Sequence, residues 1–234
     1  MRHVLAAALL VAAMPPAVSA QSAVDAEIDE LTLRVERLEG IRAVEKLQRA
    51  FGYYVDRGLW REAAQLFSAD GSIEIGLDGV FRGPERIEQY LRRLHGGQDG
   101  LIYGQLNEWI TLQPAITVAD DARSATARWR DQGMLGQLKS HAEWRDGTYE
   151  NAYVREGGVW KIARLHLFVN FVAPYEKGWA RLAPGEGLAR SEASRAFPPD
   201  APPSIEYAPF PAVQVPPFQA ANPVTGEPVE GATR

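Results

Sequence analysis

The chain has no cysteine among its 234 residues. That excludes a disulfide framework, thiolate metal sites and thiol nucleophiles together, so the fold must stand on its hydrophobic core. Basic clusters are also missing. Lys and Arg number 25 against 30 Asp and Glu, for a formal net charge of −5. A mildly acidic chain without a basic patch is a poor partner for nucleic acid or an anionic membrane. Past residue 20, no apolar run approaches the ~18 residues that would span a bilayer, so the mature chain is expected to insert in no membrane. No histidine pairs with an acid three or four residues on within a helix, no Gly-rich loop follows a strand, and no serine sits in an elbow motif. Neither a metal nor an organic cofactor is expected. No internal repeat is present.

What is there begins with a leader. Arg2 and His3 precede VLAAALLVAAM, and PPAVSA supplies small residues before a cleavage point after Ala20. That is the pattern of a secretory signal peptide, and it predicts a secreted, periplasmic chain beginning at Gln21. Cleavage leaves 24 basic residues against 30 acidic. Next, Ile28, Leu31, Val35 and Leu38 recur three and four apart in a narrow seam flanked by charges, closed by Gly40. This reads as a leader helix over 21–40, packed on its own domain or on a neighbouring subunit, because it is too short for a self-sufficient coiled coil.

Helical patterns follow over 41–57 and 59–67. Ala69-Asp70-Gly71 reads as a turn, and SIEIGLDGVFRG as two short strands around Leu77-Asp78-Gly79. Pro84 opens a helix, PERIEQYLRRL. Four long strands are expected over 101–119, 124–139, 142–157 and 158–172. Helices followed by a run of mainly antiparallel strands define an α+β domain, here 41–178. Residues 179–234 turn proline-rich, as an extended tail whose Phe and Tyr side chains either dock or stay irregular. The sheet surface, leader helix and tail together predict a homodimer or homotrimer.

The chemistry centres on FGYYVDRGLW. Helical spacing puts Tyr53, Asp56 and Trp60 on one side, beside the apolar stripe Leu47, Phe51, Tyr54. A carboxylate next to a buried stripe is a cap or a functional acid or base. His166 lies in the apolar strand LHLFVNFV, as a structural imidazole or, if it meets Asp56, as half of a general base. Period-two alternation pairs Asn107 with Trp109 on one strand face, as a polar contact and an apolar wall. Arg128 and Arg130 share a face, either solvated or turned inward to stabilise an oxyanion. Tyr53 and Tyr54 can each donate a phenolic hydrogen bond. Trp60, Trp109, Phe168 and Tyr54 would line an aromatic pocket.

The helix carrying YYVD, then LWREAAQLFSADGSIEI, VFRGPERIEQYL and GGVWKIARLHLF, together resemble the SnoaL-like (polyketide-cyclase-like) branch of the nuclear transport factor 2-like superfamily, over about residues 41–172. The resemblance implies a cone, a strongly bent, mainly antiparallel sheet wrapped around the N-terminal helices, with a pocket at the wide end. It also implies a range of cofactor-free chemistries and some binding modules without catalysis. In dehydratase-like members an aspartate a few residues before a tryptophan contributes to the pocket, the position Asp56 holds before Trp60. A strand histidine joins it, for which His141 and His166 are the candidates. Where some dehydratases carry a histidine on the penultimate strand, this chain has Glu150 and Asn151.

The expected activity is a cofactor-free lyase, by dehydration or retro-aldol cleavage, or an isomerase. Its substrate would be a hydrophobic, aromatic or polycyclic oxygenated molecule, with Asp56, His166, Tyr54 and Tyr53 as acid–base groups. The alternative is a periplasmic binding or assembly module without turnover.

Overall fold

The computed structural model describes residues 18–186, 189–212 and 221–227. The expected signal peptide lies almost wholly outside them. Helix α1 (Val18–Asp56) is followed by α2 (Trp60–Gln65), β1 (Phe67–Ile75), β2 (Val80–Arg82), α3 (Pro84–Leu94) and β3 (Gln105–Val118). Strands β4 (Ser124–Gln137), β5 (His141–Glu156) and β6 (Val159–Pro174) complete one sheet in the order β2-β1-β6-β5-β4-β3. Every neighbouring pair is antiparallel except β1 with β6. The sheet curls around the helices without closing, and the result is the α+β cone. No helix among the described residues is long and apolar enough to cross a membrane.

Two local expectations are corrected. Gly40 does not end a leader helix, for α1 runs through it unbroken. Its missing side chain serves packing instead: a Cβ there would lie 3.1 Å from the Trp160 ring. Likewise Ala69-Asp70-Gly71 forms no turn between elements. These residues lie within β1, at a shift of its register against β6 between Phe67 and Ser72.

The core follows from two periodicities. On α1, Val44, Phe51 and Val55 recur at helical spacing and are fully buried. On β6, Leu165, Leu167 and Val169 face this core, while His166, Phe168 and Asn170 take the opposite face. Helix α3 starts on Pro84, buries Ile87, Tyr90 and Leu91, and places Arg92 and Arg93 in its last turn, where positive charge suits the helix dipole. Helix α1 ends because Gly58 adopts a left-handed φ of 66°. The chain therefore turns between Asp56 and Trp60, and Tyr53, Asp56 and Trp60 share no helical face.

Beyond β6, a 3₁₀ turn (Trp179–Arg181) leads to α4 (Glu192–Ala196), capped by the Ser191 side chain. Residues 197–212 then dock on the domain. Phe197 stacks on Phe81 with ring centres 5.8 Å apart, and Phe210 N donates to the Asn170 carbonyl at 2.8 Å. Ser204 donates its N–H and hydroxyl to Glu74 at 2.8 and 2.6 Å. The tyrosine hydroxyl of Tyr207 accepts from Val169 N at 3.1 Å.

Candidate functional site

The open end of the cone holds a cavity of about 490 Å³. Its wall includes Asp78 from the β1–β2 turn, His95 just past α3, Asn107 and Trp109 from β3, Arg145 from β5, and Ser191 before α4. Alternation along β4 and β5 brings the charged groups in. On β5, Arg145, Gly147 and Tyr149 follow one another on one face, and on β4 so do Trp129, Asp131 and Gly133. Gly133 pairs with Arg145 across the ladder, and a Cβ there would come within 3.1 Å of the Arg145 Nε. That glycine makes room for the guanidinium.

Arg145 is almost fully buried, and its charge is met by Asp131, which has no exposure at all. Nε donates to Oδ2 at 2.7 Å and Nη2 to Oδ1 at 3.1 Å. The Tyr149 hydroxyl donates to the same carboxylate at 3.3 Å. Burial is the largest influence and works against the guanidinium charge, but Asp131, joined by Tyr149 and Tyr90, holds the pKa above its ordinary value. Among the described residues, Nη1 makes no hydrogen bond.

His95 stacks on Trp60 with ring centres 5.1 Å apart and meets Trp109 edge-on at 5.3 Å. Its Nε2 is buried without a hydrogen-bond partner. Burial, then the nearby positive charge of Arg145, push its pKa down to about 3, so the imidazole is neutral across the physiological range. Asp78 is the cavity's buried carboxylate. It accepts from the Tyr90 hydroxyl at 2.7 Å, from Ser191 N at 2.6 Å, and from the hydroxyls of Ser191 and Ser194.

Asp56 stands at the seam between α1 and β3. Its Oδ1 accepts from the backbone N–H of Trp109 at 2.7 Å. Burial pushes its pKa up to about 6, against the pull of that hydrogen bond. The indole of Trp109 donates to Asn107 Oδ1 at 2.9 Å, and Asn107 Nδ2 donates to the Val55 carbonyl at 3.0 Å. Asp56, Asn107 and Trp109 are thus one connected group, as the alternation along β3 leads one to expect for the last two.

The anticipated Asp56–His166 pair is not formed. His166 belongs to the face of β6 opposite the core, where its ring stacks on Phe168 at 3.7 Å and its Nε2 lies 3.6 Å from Glu74. Parallel pairing of Glu74 with His166 and the docked Ser204 explain that placement. Burial, then Arg164, lower the His166 pKa to about 4. Phe168 meets Tyr207 edge-on and lies outside the cavity lining with His166. Arg128 and Arg130 take the outer face, bonded to Glu150 at 2.7 Å and Asp146 at 3.1 Å. Tyr53 is exposed, beside Asp56 in a separate groove, and Tyr54 packs partly buried against the core. Trp60 is buried, donates from Nε1 to the Gln98 carbonyl at 2.6 Å, and backs His95 rather than facing the cavity. His141 lies on the cavity rim. Asn151 turns inward and, with Tyr153, donates to Gln48 of α1, each at 2.9 Å.

Among the described residues, no group of three or more His, Asp and Glu side chains is arranged to hold a metal ion. A curled sheet around helices holds a cavity lined by charged groups, by Trp109 and His95, and by aliphatic side chains. The chain belongs to the SnoaL-like domain family, whose model matches residues 36–166. Solved structures agree in fold. A protein provisionally described as a scytalone dehydratase, from Novosphingobium aromaticivorans, superposes with a TM-score of 0.52 at 19% identity, over 61% of this chain and 91% of that one. LinA gives 0.52 at 17% identity, over 68% and 99%. The hexachlorocyclohexane dehydrochlorinase LinA-type3 of Novosphingobium barchaimii gives 0.52 at 16%, over 60% and 93%. No curated protein matches the chain.

Proposed function

We propose that this protein is a cofactor-free lyase or isomerase that removes a proton from a hydrophobic, oxygenated small molecule bound in the cone mouth. One observation carries the reading: a neutral, buried His95 with a partnerless Nε2 shares the cavity wall with the Arg145 guanidinium. Burying a polar nitrogen without a partner is costly, and a substrate hydrogen bond would relieve that cost. A neutral imidazole can take a proton from carbon or pass one to a leaving oxygen. The Nη1 donors of Arg145 are placed to stabilise the enolate or phenolate that proton loss creates. Asp56 holds Trp109 in place and, with its pKa near 6, sets the ionisation state beside the site. Trp109 and the apolar wall of Ile75, Leu94 and Val169 suit an aromatic or polycyclic ring. The SnoaL-like family and the elimination enzymes among its structural neighbours support this class of chemistry.

A panel of aryl and polycyclic secondary alcohols and β-hydroxy ketones tests the reading, by following loss of water or of a small carbonyl fragment. His95→Phe preserves the stacking on Trp60 and removes both nitrogens. Turnover by the parent and loss of turnover by His95→Phe, with ligand binding retained, is the expected result. Binding without turnover by the parent would leave a carrier instead. The export reading is tested separately: the mature protein should begin at Gln21 in the periplasm, as N-terminal sequencing would show.

A further inference from the structure

Helix α1 divides at Gly40. From Gly40 onward its buried side chains pack into the domain, while residues 22–39 stand almost entirely in solvent. Along this projecting part, Val24, Ile28, Leu31, Val35 and Leu38 follow spacings of four and three. Their exposures are 50, 54, 49, 53 and 64%. In heptad terms Ile28 and Val35 take a, and Val24, Leu31 and Leu38 take d.

Among the described residues, the contacts of this helix with the chain's own body that can be named lie on the other side. Glu36 pairs with Arg155 and Arg37 with Asp120, both at 3.3 Å, and Gly40 packs against Trp160. Those positions are b, c and f, so the apolar seam faces away from the domain. It also stops where the helix enters the body, since the next a and d positions are Arg42, Glu45 and Arg49. The apolar stripe thus ends where the helix surface ceases to be reachable from outside the domain.

We propose that this seam docks a second copy of the same chain, with the two α1 helices parallel. β-Branched residues at a and leucine at d favour two parallel strands. Parallel alignment also sets every apolar layer against itself. Arg34 at g then falls opposite Glu39 at e of the other copy, twice over by symmetry. Neither residue is ion-paired within its own chain among the described residues. An antiparallel alignment that kept the same layers would set Arg34 against Glu27 but bring Asp25 against Glu39, so attraction and repulsion would offset each other. So short a seam would not hold free peptides together, because forming each helix is costly. Here the helix is already formed, as the continuation of a segment anchored in the core.

The test uses the full mature protein. Light scattering at micromolar concentration should report a dimer. Leu31→Asp with Leu38→Asp should raise the dimer dissociation constant roughly a hundredfold or more, with the melting transition of the domain unchanged. Arg34→Glu should weaken the dimer, and adding Glu39→Arg should restore it. Because the chain has no cysteine, Leu31→Cys is a unique thiol, and mild oxidation should link two chains through that position. A monomeric parent overturns the proposal. So does a dimer indifferent to the aspartate pair, or a failure of Leu31→Cys to cross-link.

Discussion

The guanidinium carbon of Arg145 lies 3.8 Å from the centre of the Trp109 ring, while Asp131 accepts from two nitrogens along the edge of the same group. The cation on the cavity wall is therefore fixed by an aromatic face and a carboxylate with no solvent exposure. Asp131→Asn keeps the shape and removes the compensating charge, leaving Arg145 buried and unneutralised. It should cost about 3–5 kcal/mol in chemical denaturation, and Arg145→Met added to it should recover part of that loss.

The acid–base reading has its own signature in rate. His95→Phe should lower turnover by about 10²–10⁴, the usual worth of a positioned proton-transfer group. The parent's rate should rise with pH along a limb near 6, where Asp56 ionises. Asp56→Asn still offers an oxygen to Trp109 N, so it should abolish that limb while ligand binding persists. A pH–rate profile unchanged by Asp56→Asn would assign the limb to another group.

Stability should depend on pH in two opposed ways. His95 and His166 have folded pKa values of about 3 and 4 against an ordinary 6.5. The unfolded chain binds more protons below 6.5, so their contribution is whole above that pH and is lost as acid is added. Each contributes a slope of up to about 1.4 kcal/mol per pH unit within its window. Asp56 works the other way. Its folded value of about 6 exceeds the ordinary 3.8, so the stability it contributes in acid is lost as pH rises through about 6. Urea midpoints measured between pH 4 and 7.5 should fall with acid in the parent. They should fall less in His166→Gln and more steeply in Asp56→Asn.

Asp78 ties the cavity to the C-terminal segment. Asp78→Ala would strand the Tyr90 hydroxyl and the two serines at once, and each buried group left unpaired costs roughly 1–3 kcal/mol. Thermal unfolding should move down accordingly. Limited proteolysis should then cut between residues 187 and 212 in the variant before the parent.

Much of the cone was readable from the residues. The helix opened by Pro84 and the four long strands depend on local spacing, and they lie where the pattern puts them. Asn107 and Trp109 were legible for the same reason, since alternation alone decides their face. Gly40 misled because a helix stop and a close helix–ring contact ask for the same missing side chain. His166 misled because period two gives two faces without saying which is the core. Leu165 and Leu167, its neighbours, settle that only once β6 is packed. His95, in LRRLHGG, carries no local signal, because its placement comes from Trp60, thirty-five positions earlier. Arg145 and Asp131 carried a weak signal. Arg128 and Arg130 share a face opposite Trp129, so Asp131 had to lie on the tryptophan's side.

Both margins of the sheet are occupied by segments that the family match leaves out or only partly includes. Along β3, Asp56 takes the Trp109 N–H, and Gly52 lets α1 approach the Trp109 carbonyl so closely that a Cβ would sit 3.2 Å from it. Along β2, Val80 exchanges backbone hydrogen bonds with Asp200 and Ala201, and Arg82 N donates to the Asp200 side chain. Bare strand margins recruit other chains. The β2 margin is sealed by a segment more than a hundred positions further along the chain. With residues 200 and 201 in place, the backbone of Val80 and Arg82 is no longer a bare edge, so the C-terminal segment shields a sheet margin as well as supplying Ser191 to the cavity wall.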